Sequence, residues 1–161
     1  MTDKEYKEIV MQFSDRVLRF LKKNLRSGED AEDILQESLI TLWNNRANVE
    51  TIKAKSYLFT VAYHNMLNIL KQTKTRGEMV KDINDFDSFD SLKTLNNYDT
   101  KQLISYAMEQ LPENMKTCLL LKDWEGYKTD EIAQIMKITE DNVKITLFRA
   151  RQKMREILGN I

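Results

Sequence analysis

Only four glycines and one proline punctuate this chain of 161 residues, and that scarcity decides the fold class before any motif is read. An all-β fold needs a turn signal about every 8–12 residues, far more breaks than five residues supply. Hydrophobic residues at 42% and charged residues at 31% place the chain among globular proteins rather than disordered ones. Helices remain. Apolar residues recur at helical spacing through 5–26, 30–44 and 54–72. Ser27-Gly28 separates the first two stretches, and the polar run Asn44–Asn48 separates the second from the third. Helical patterns resume at 100–111, 113–123, 129–137 and 139–158.

Between these sets, residues 73–99 are rich in Asp, Ser, Asn and Thr. The expected architecture is therefore all-α, with two small helical domains at 1–75 and 100–161 joined by a flexible acidic linker at 76–99. Within the linker Ile83, Phe86, Phe89, Leu92 and Leu95 repeat every three residues. Such a repeat could fold on a partner or dock on a domain; plain disorder is the even-weighted alternative.

Several function classes drop out early. Cys118 is the single cysteine, so there is no disulfide framework and no paired-cysteine metal site. The opening MTDKEYKEIV is charged throughout and lacks the apolar core of a signal peptide. The longest apolar run, Cys118 to Leu121, falls far short of the roughly 18 residues needed to span a bilayer. A soluble, cytoplasmic protein is expected, without membrane insertion. His64, the only histidine, has no evident catalytic partner, and Cys118 sits in an apolar run that reads as core. No glycine-rich phosphate loop or metal-ligand cluster is present, so neither catalysis, metal nor cofactor is expected.

Net charge is zero, from 25 basic and 25 acidic residues, but the charges are segregated. Residues 51–76 hold Lys53, Lys55, Lys71, Lys74 and Arg76 and no acid. Residues 142–155 hold Lys144, Arg149, Arg151, Lys153 and Arg155, again without an acid. Glu29, Asp30, Glu32, Asp33 and Glu37 form an acidic block, and Glu78, Asp82, Asp85, Asp87, Asp90 and Asp99 lie in the linker. Local patches of this kind, rather than net charge, set where a polyanion can sit.

Three surfaces follow from helical geometry. Toward the C-terminus, Pro112 suits the first turn of a helix, and Gly126 marks a turn. Thr129 and Thr139, each followed by two acidic residues, read as N-caps of two helices joined by a very short turn, a helix-turn-helix. On the last helix Val143, Leu147, Ala150, Met154 and Leu158 fall within about 80° and face inward. Lys144, Phe148, Arg151 and Arg155 form an outer stripe flanked by Ile145, Arg149 and Gln152. Such a helix can lie in a major groove, its bases on phosphates and base edges and Phe148 against a thymine methyl. A solvated basic helix end is the plain alternative.

On the 30–44 helix, Ala31, Ile34, Leu35, Ser38, Leu39 and Leu42 share the inward arc, while Asp33, Gln36, Glu37 and Ile40 form the opposite stripe. An outward Ile40 among polar neighbours suits protein contact. On the 54–72 helix, Leu58, Val61, Ala62, Met66 and Ile69 face inward with Asn65 at their margin. Tyr57, Thr60, His64, Asn68 and Lys71 run along the other side, with Lys74 beyond. Rings, amides and bases on an acid-free segment suit single-stranded nucleic acid; an ordinary helix surface with Tyr57 half-buried is the alternative, and the better one on spacing alone.

These surfaces, in this order, resemble bacterial sigma factors of the extracytoplasmic-function (ECF) group within the sigma-70 family, over about residues 10–158. Asp30-Ala31-Glu32-Asp33-Ile34-Leu35-Gln36-Glu37 resembles the family's DAED-hydrophobic-x-QE motif. Leu111-Pro112 resembles the opening of region four, Asp130-Glu131-Ile132-Ala133 its EIA helix, and Asn142-Val143-Lys144 with Phe148-Arg149-Ala150-Arg151 its recognition helix. The resemblance implies a region 2 bundle and a region 4 helix-turn-helix. It implies core RNA polymerase as partner, through the β′ clamp helices on Asp33, Gln36 and Glu37 with Ile40 beside them, and through the β flap. It also implies promoter DNA, melted at the −10 element on Tyr57, Thr60, His64, Asn68, Lys71 and Lys74. The duplex −35 element would be read by Lys144, Ile145, Phe148, Arg149 and Arg151. The linker would thread the RNA exit path, and an anti-sigma factor is a further candidate partner.

Two positions depart from the family pattern. His64 stands where the family has Asn, at the loop that captures a flipped −10 base, and Ile145-Thr146 replace the usual Ser-Arg of the recognition helix. Both bear on promoter preference rather than on polymerase binding. The competing readings are a two-domain helix-turn-helix regulator acting without polymerase and a protein-binding helical adaptor.

Overall fold

The structure, a computed structural model, describes residues 1–75 and 99–159. The linker expectation, with its three-residue apolar repeat, lies outside the described residues. Two compact units are present: residues 1–75 together with Ala133–Lys137 form one, and residues 99–132 and 138–159 form the other. Among the described residues every regular element is helical.

In the first unit, α1 spans Asp3–Asn24, α2 Gly28–Asn44 and α3 Ala54–Thr75. Thr2 caps α1 by accepting from the Glu5 amide at 3.1 Å, and Ser27 caps α2 by accepting from the Asp30 amide at 3.2 Å. Two short 3₁₀ turns, Arg46–Asn48 and Thr51–Lys53, lead from α2 into α3. The three long helices pack on one another around Val17, Leu21, Ile34, Leu42, Leu58, Phe59 and Met66, all fully buried. Each such side chain contributes roughly 1.5–3 kcal/mol of burial. Phe20 meets Phe59 edge-on at 5.5 Å.

The buried face of α3 is rotated from the one its pattern suggests. Ala54, Leu58, Phe59, Ala62, Tyr63 and Met66 are buried, whereas Val61 and Ile69 are only half-buried. At 100° per residue the shift is about 40°. Two aromatic rings bury more area than Val and Ile, so they set the angle at which the helix settles.

In the second unit, α4 spans Thr100–Glu109, α5 Glu113–Leu119, α6 runs Thr129–Met136 across the division between units, and α7 spans Glu140–Gly159. Asp99 and Gln102 form a reciprocal capping box at 2.8 and 3.1 Å at the start of α4. Pro112 occupies the cap position of α5, just outside its first turn. The helix expected over 113–123 stays α-helical only to Leu119; Leu120–Trp124 widen into a π-helical turn. That turn closes on Gly126, whose φ of 75° a glycine takes without strain. α4 and α5 pack against α7, burying Leu111, Thr117, Leu121, Val143, Leu147 and Ala150. Cys118 is fully buried as core, and burial, then the Glu113 charge, pushes its thiol up to about 12.

The helix-turn-helix forms with one correction to its caps. Thr139 caps α7 as expected, accepting from the Asn142 amide at 3.1 Å. Thr129, however, is the first residue of α6 rather than its cap. The cap position falls to Lys128, whose amide donates to Glu131 Oε1 at 2.9 Å while its carbonyl accepts the first helical bond from Ile132. Glu131 reaching back satisfies the Lys128 amide, the half of a capping box that does not depend on the side chain at the cap. Lys137, with φ 56°, makes the turn between α6 and α7.

Candidate functional site

α7 buries Val143, Thr146, Leu147 and Ala150, with Met154 and Leu158 half-buried on the same side. Once these are fixed inward, Lys144, Ile145, Phe148, Arg149, Arg151, Gln152 and Arg155 are all exposed. Phe148 is 64% and Ile145 50% exposed. The stripe expected for a groove-binding helix is therefore assembled on one solvent face. Arg151 differs from its neighbours: its Nη2 lies 3.3 Å from Asp123 Oδ1, so part of its charge is answered within the unit. Thr146 also differs. At 5% exposure it faces the core, its hydroxyl donating to Asn142 Oδ1 at 3.2 Å. Of the two departures in the recognition helix, only Ile145 reaches the outer surface.

On α2 the stripe of Asp33, Gln36, Glu37 and Ile40 is exposed along its whole length, Ile40 at 57%. The helix is held against α1 by Tyr6, whose hydroxyl donates to the Leu39 carbonyl at 2.9 Å and whose ring meets Trp43 at 4.9 Å. Arg46 lies over the Trp43 ring at 3.7 Å and pairs with Asp3 at 3.6 Å. Arg46, the first base after the acidic block in sequence, is thus engaged by Trp43 and Asp3 rather than by the block.

On α3, Tyr57, Thr60 and His64 are half-buried and Asn68, Lys71 and Lys74 exposed, opposite the buried arc. Thr60 donates to the Ser56 carbonyl at 2.7 Å, so its hydroxyl is turned back onto its own helix. His64 stands 5.1 Å from the Tyr63 ring, edge to face, and burial lowers its imidazole below the ordinary range. The expectation that His64 belongs to a loop does not hold: α3 is helical from Ala54 to Thr75, with no glycine or proline to break it. His64 is a helix-face residue. Ile52, in the Thr51–Lys53 turn and 86% exposed, was not marked by the sequence, because one apolar residue among polar neighbours carries no period.

A basic, outward recognition helix behind a short turn, together with a helical bundle bearing an acidic ridge, defines the class of two-unit helix-turn-helix proteins. Comparison with known proteins narrows this. Sigma-70 region 2 matches residues 9–76 and sigma-70 region 4 matches residues 101–154, and the chain belongs to the sigma-70 family. Among curated relatives, the ECF RNA polymerase sigma factor SigM of Bacillus subtilis is 26% identical over 151 residues, covering 93% of each chain. The ECF sigma-E factor of Haemophilus influenzae is 27% identical over 164 residues, covering 92% of this chain and 85% of the relative. The sigma factor RpoE of Bartonella quintana, solved with the anti-sigma factor NepR, shares the fold with a TM-score of 0.72 at 18% identity, covering 97% of this chain and 98% of that one. The protein is an RNA polymerase sigma factor of the ECF group, a subunit that binds core polymerase and promoter DNA. Among the described residues no helix is long and apolar enough to cross a membrane.

Proposed function

We propose a division of labour among the three surfaces, carried by one observation: α2 and α7 each turn a charged stripe of opposite sign to solvent. The ridge of Asp33, Gln36, Glu37 and Ile40 docks on the β′ clamp helices, its acids answering bases and Ile40 filling an apolar contact. Tyr57, Thr60, His64, Asn68, Lys71 and Lys74 hold the melted −10 strand, rings stacking and ammonium groups meeting phosphates. Unstacking a base costs on the order of a few kcal/mol, which stacking on the protein offsets. Lys144, Ile145, Phe148, Arg149 and Arg151 read the −35 duplex, and the second unit also meets the β flap.

No covalent chemistry is needed for any of these steps, and the protein works in the cytoplasm, where polymerase is. An anti-sigma factor is proposed as a regulator by analogy with the Bartonella relative. The test is co-purification of core polymerase with Asp33→Ala/Gln36→Ala. Weakened recovery with unchanged folding supports the docking role; recovery equal to the parent chain removes it.

A further inference from the structure

Ile145 and Phe148 form an apolar pair on the outer face of α7, at 50% and 64% exposure. They stand three residues apart, about 60° around the helix and about 4.5 Å along it. The inward side of the helix is already filled by Val143, Thr146, Leu147 and Ala150, so neither side chain is needed for the core. Their neighbours Lys144 and Arg149 are exposed bases suited to phosphates and guanine edges. Two large apolar groups at the centre of such a face do nothing for phosphates. In the major groove the one apolar feature on a base edge is the thymine C5-methyl.

Successive bases on a strand lie about 3.4 Å apart, close to the spacing of the two side chains along α7. We infer that Ile145 and Phe148 read thymine methyls at neighbouring steps of the duplex promoter element, and that Ile145 sets a preference which a serine there would not. This rests on α7 being the −35 reader. A hydroxyl at position 145 hydrogen-bonds to several base edges, whereas a branched alkyl group rewards a methyl and leaves polar edges unsatisfied.

The experiment uses the full chain assembled with core polymerase and a pool of promoter duplexes randomised across the −35 element. Selected duplexes are expected to carry neighbouring thymines. Replacing each by deoxyuridine, which removes only the methyl, is expected to lower affinity about fourfold per position. Ile145→Ser is expected to abolish the effect at one position while leaving the salt dependence of binding intact. An enriched element whose affinity is indifferent to deoxyuridine overturns the methyl reading and leaves α7 as the −35 reader. Absence of any enriched element, with binding unchanged in Lys144→Ala/Arg149→Ala, overturns both.

Discussion

Arg151 and Asp123 form an ion pair, Nη2 to Oδ1 at 3.3 Å, while Arg149, two residues earlier on the same helix, has no acidic partner among the described residues. Both partners of the pair are partly exposed, so it contributes only about 0–1 kcal/mol to the fold. Its larger consequence is electrostatic: two arginines two residues apart on α7 present different charge to a phosphate backbone.

Removing the acid should release Arg151. Asp123→Asn is expected to raise the affinity of the polymerase-bound protein for a −35 duplex and to steepen its salt slope by up to about one phosphate contact. Arg149→Ala is expected to lower affinity and reduce the slope by about one. Salt-titrated binding measures both. Equal slopes for parent, Asp123→Asn and Arg149→Ala would remove both arginines from the interface.

His64 predicts a pH effect with a definite sign. Burial lowers its folded pKa beneath the ordinary value, so on acidification the unfolded chain takes up this proton first. Stability from this group is present above about pH 6.5 and is lost as pH falls toward the folded value. Urea midpoints at pH 7.5 and 5.5 should therefore differ more for the parent than for His64→Asn. The same difference in both proteins would mean that the imidazole is not held neutral.

Lys137 adopts a φ of 56°, a conformation that costs a side-chain-bearing residue about 1–2 kcal/mol and a β-branched one more. Lys137→Val should lower unfolding free energy by at least about 1 kcal/mol, and Lys137→Gly should not lower it. Chemical denaturation distinguishes them. Equal losses for Val and Gly would show that the lysine side chain, rather than the backbone, matters at this turn.

What could be read in advance followed from periodicity. Among the described residues, helical spacing located the seven α-helices to within a few residues and put Asp33, Gln36, Glu37 and Ile40 on one face, because those positions are decided by local geometry. Three features were decided elsewhere. The rotation of α3 depends on how much area Phe59 and Tyr63 bury, which a simple apolar pattern weighs no more than Val61 or Ile69. The cap of α6 depends on Glu131 reaching back to an amide, not on residue type at the cap. Thr146 lies inward beside Val143, Leu147 and Ala150 on the buried side of α7, so a change that reads as a substitution at the DNA face is a core residue. The loop assigned to His64 came from resemblance alone, and the unbroken run from Ala54 to Thr75 shows why it failed.

The most direct measurement is in vitro transcription with purified core polymerase, the full chain and genomic fragments as template. Defined transcripts should appear only when the chain is added, and they should be lost with Asp33→Ala/Gln36→Ala and reduced with Arg149→Ala. Salt-dependent DNA binding by the chain with no dependent transcript at any template would contradict a sigma factor and leave a helix-turn-helix regulator that works without polymerase.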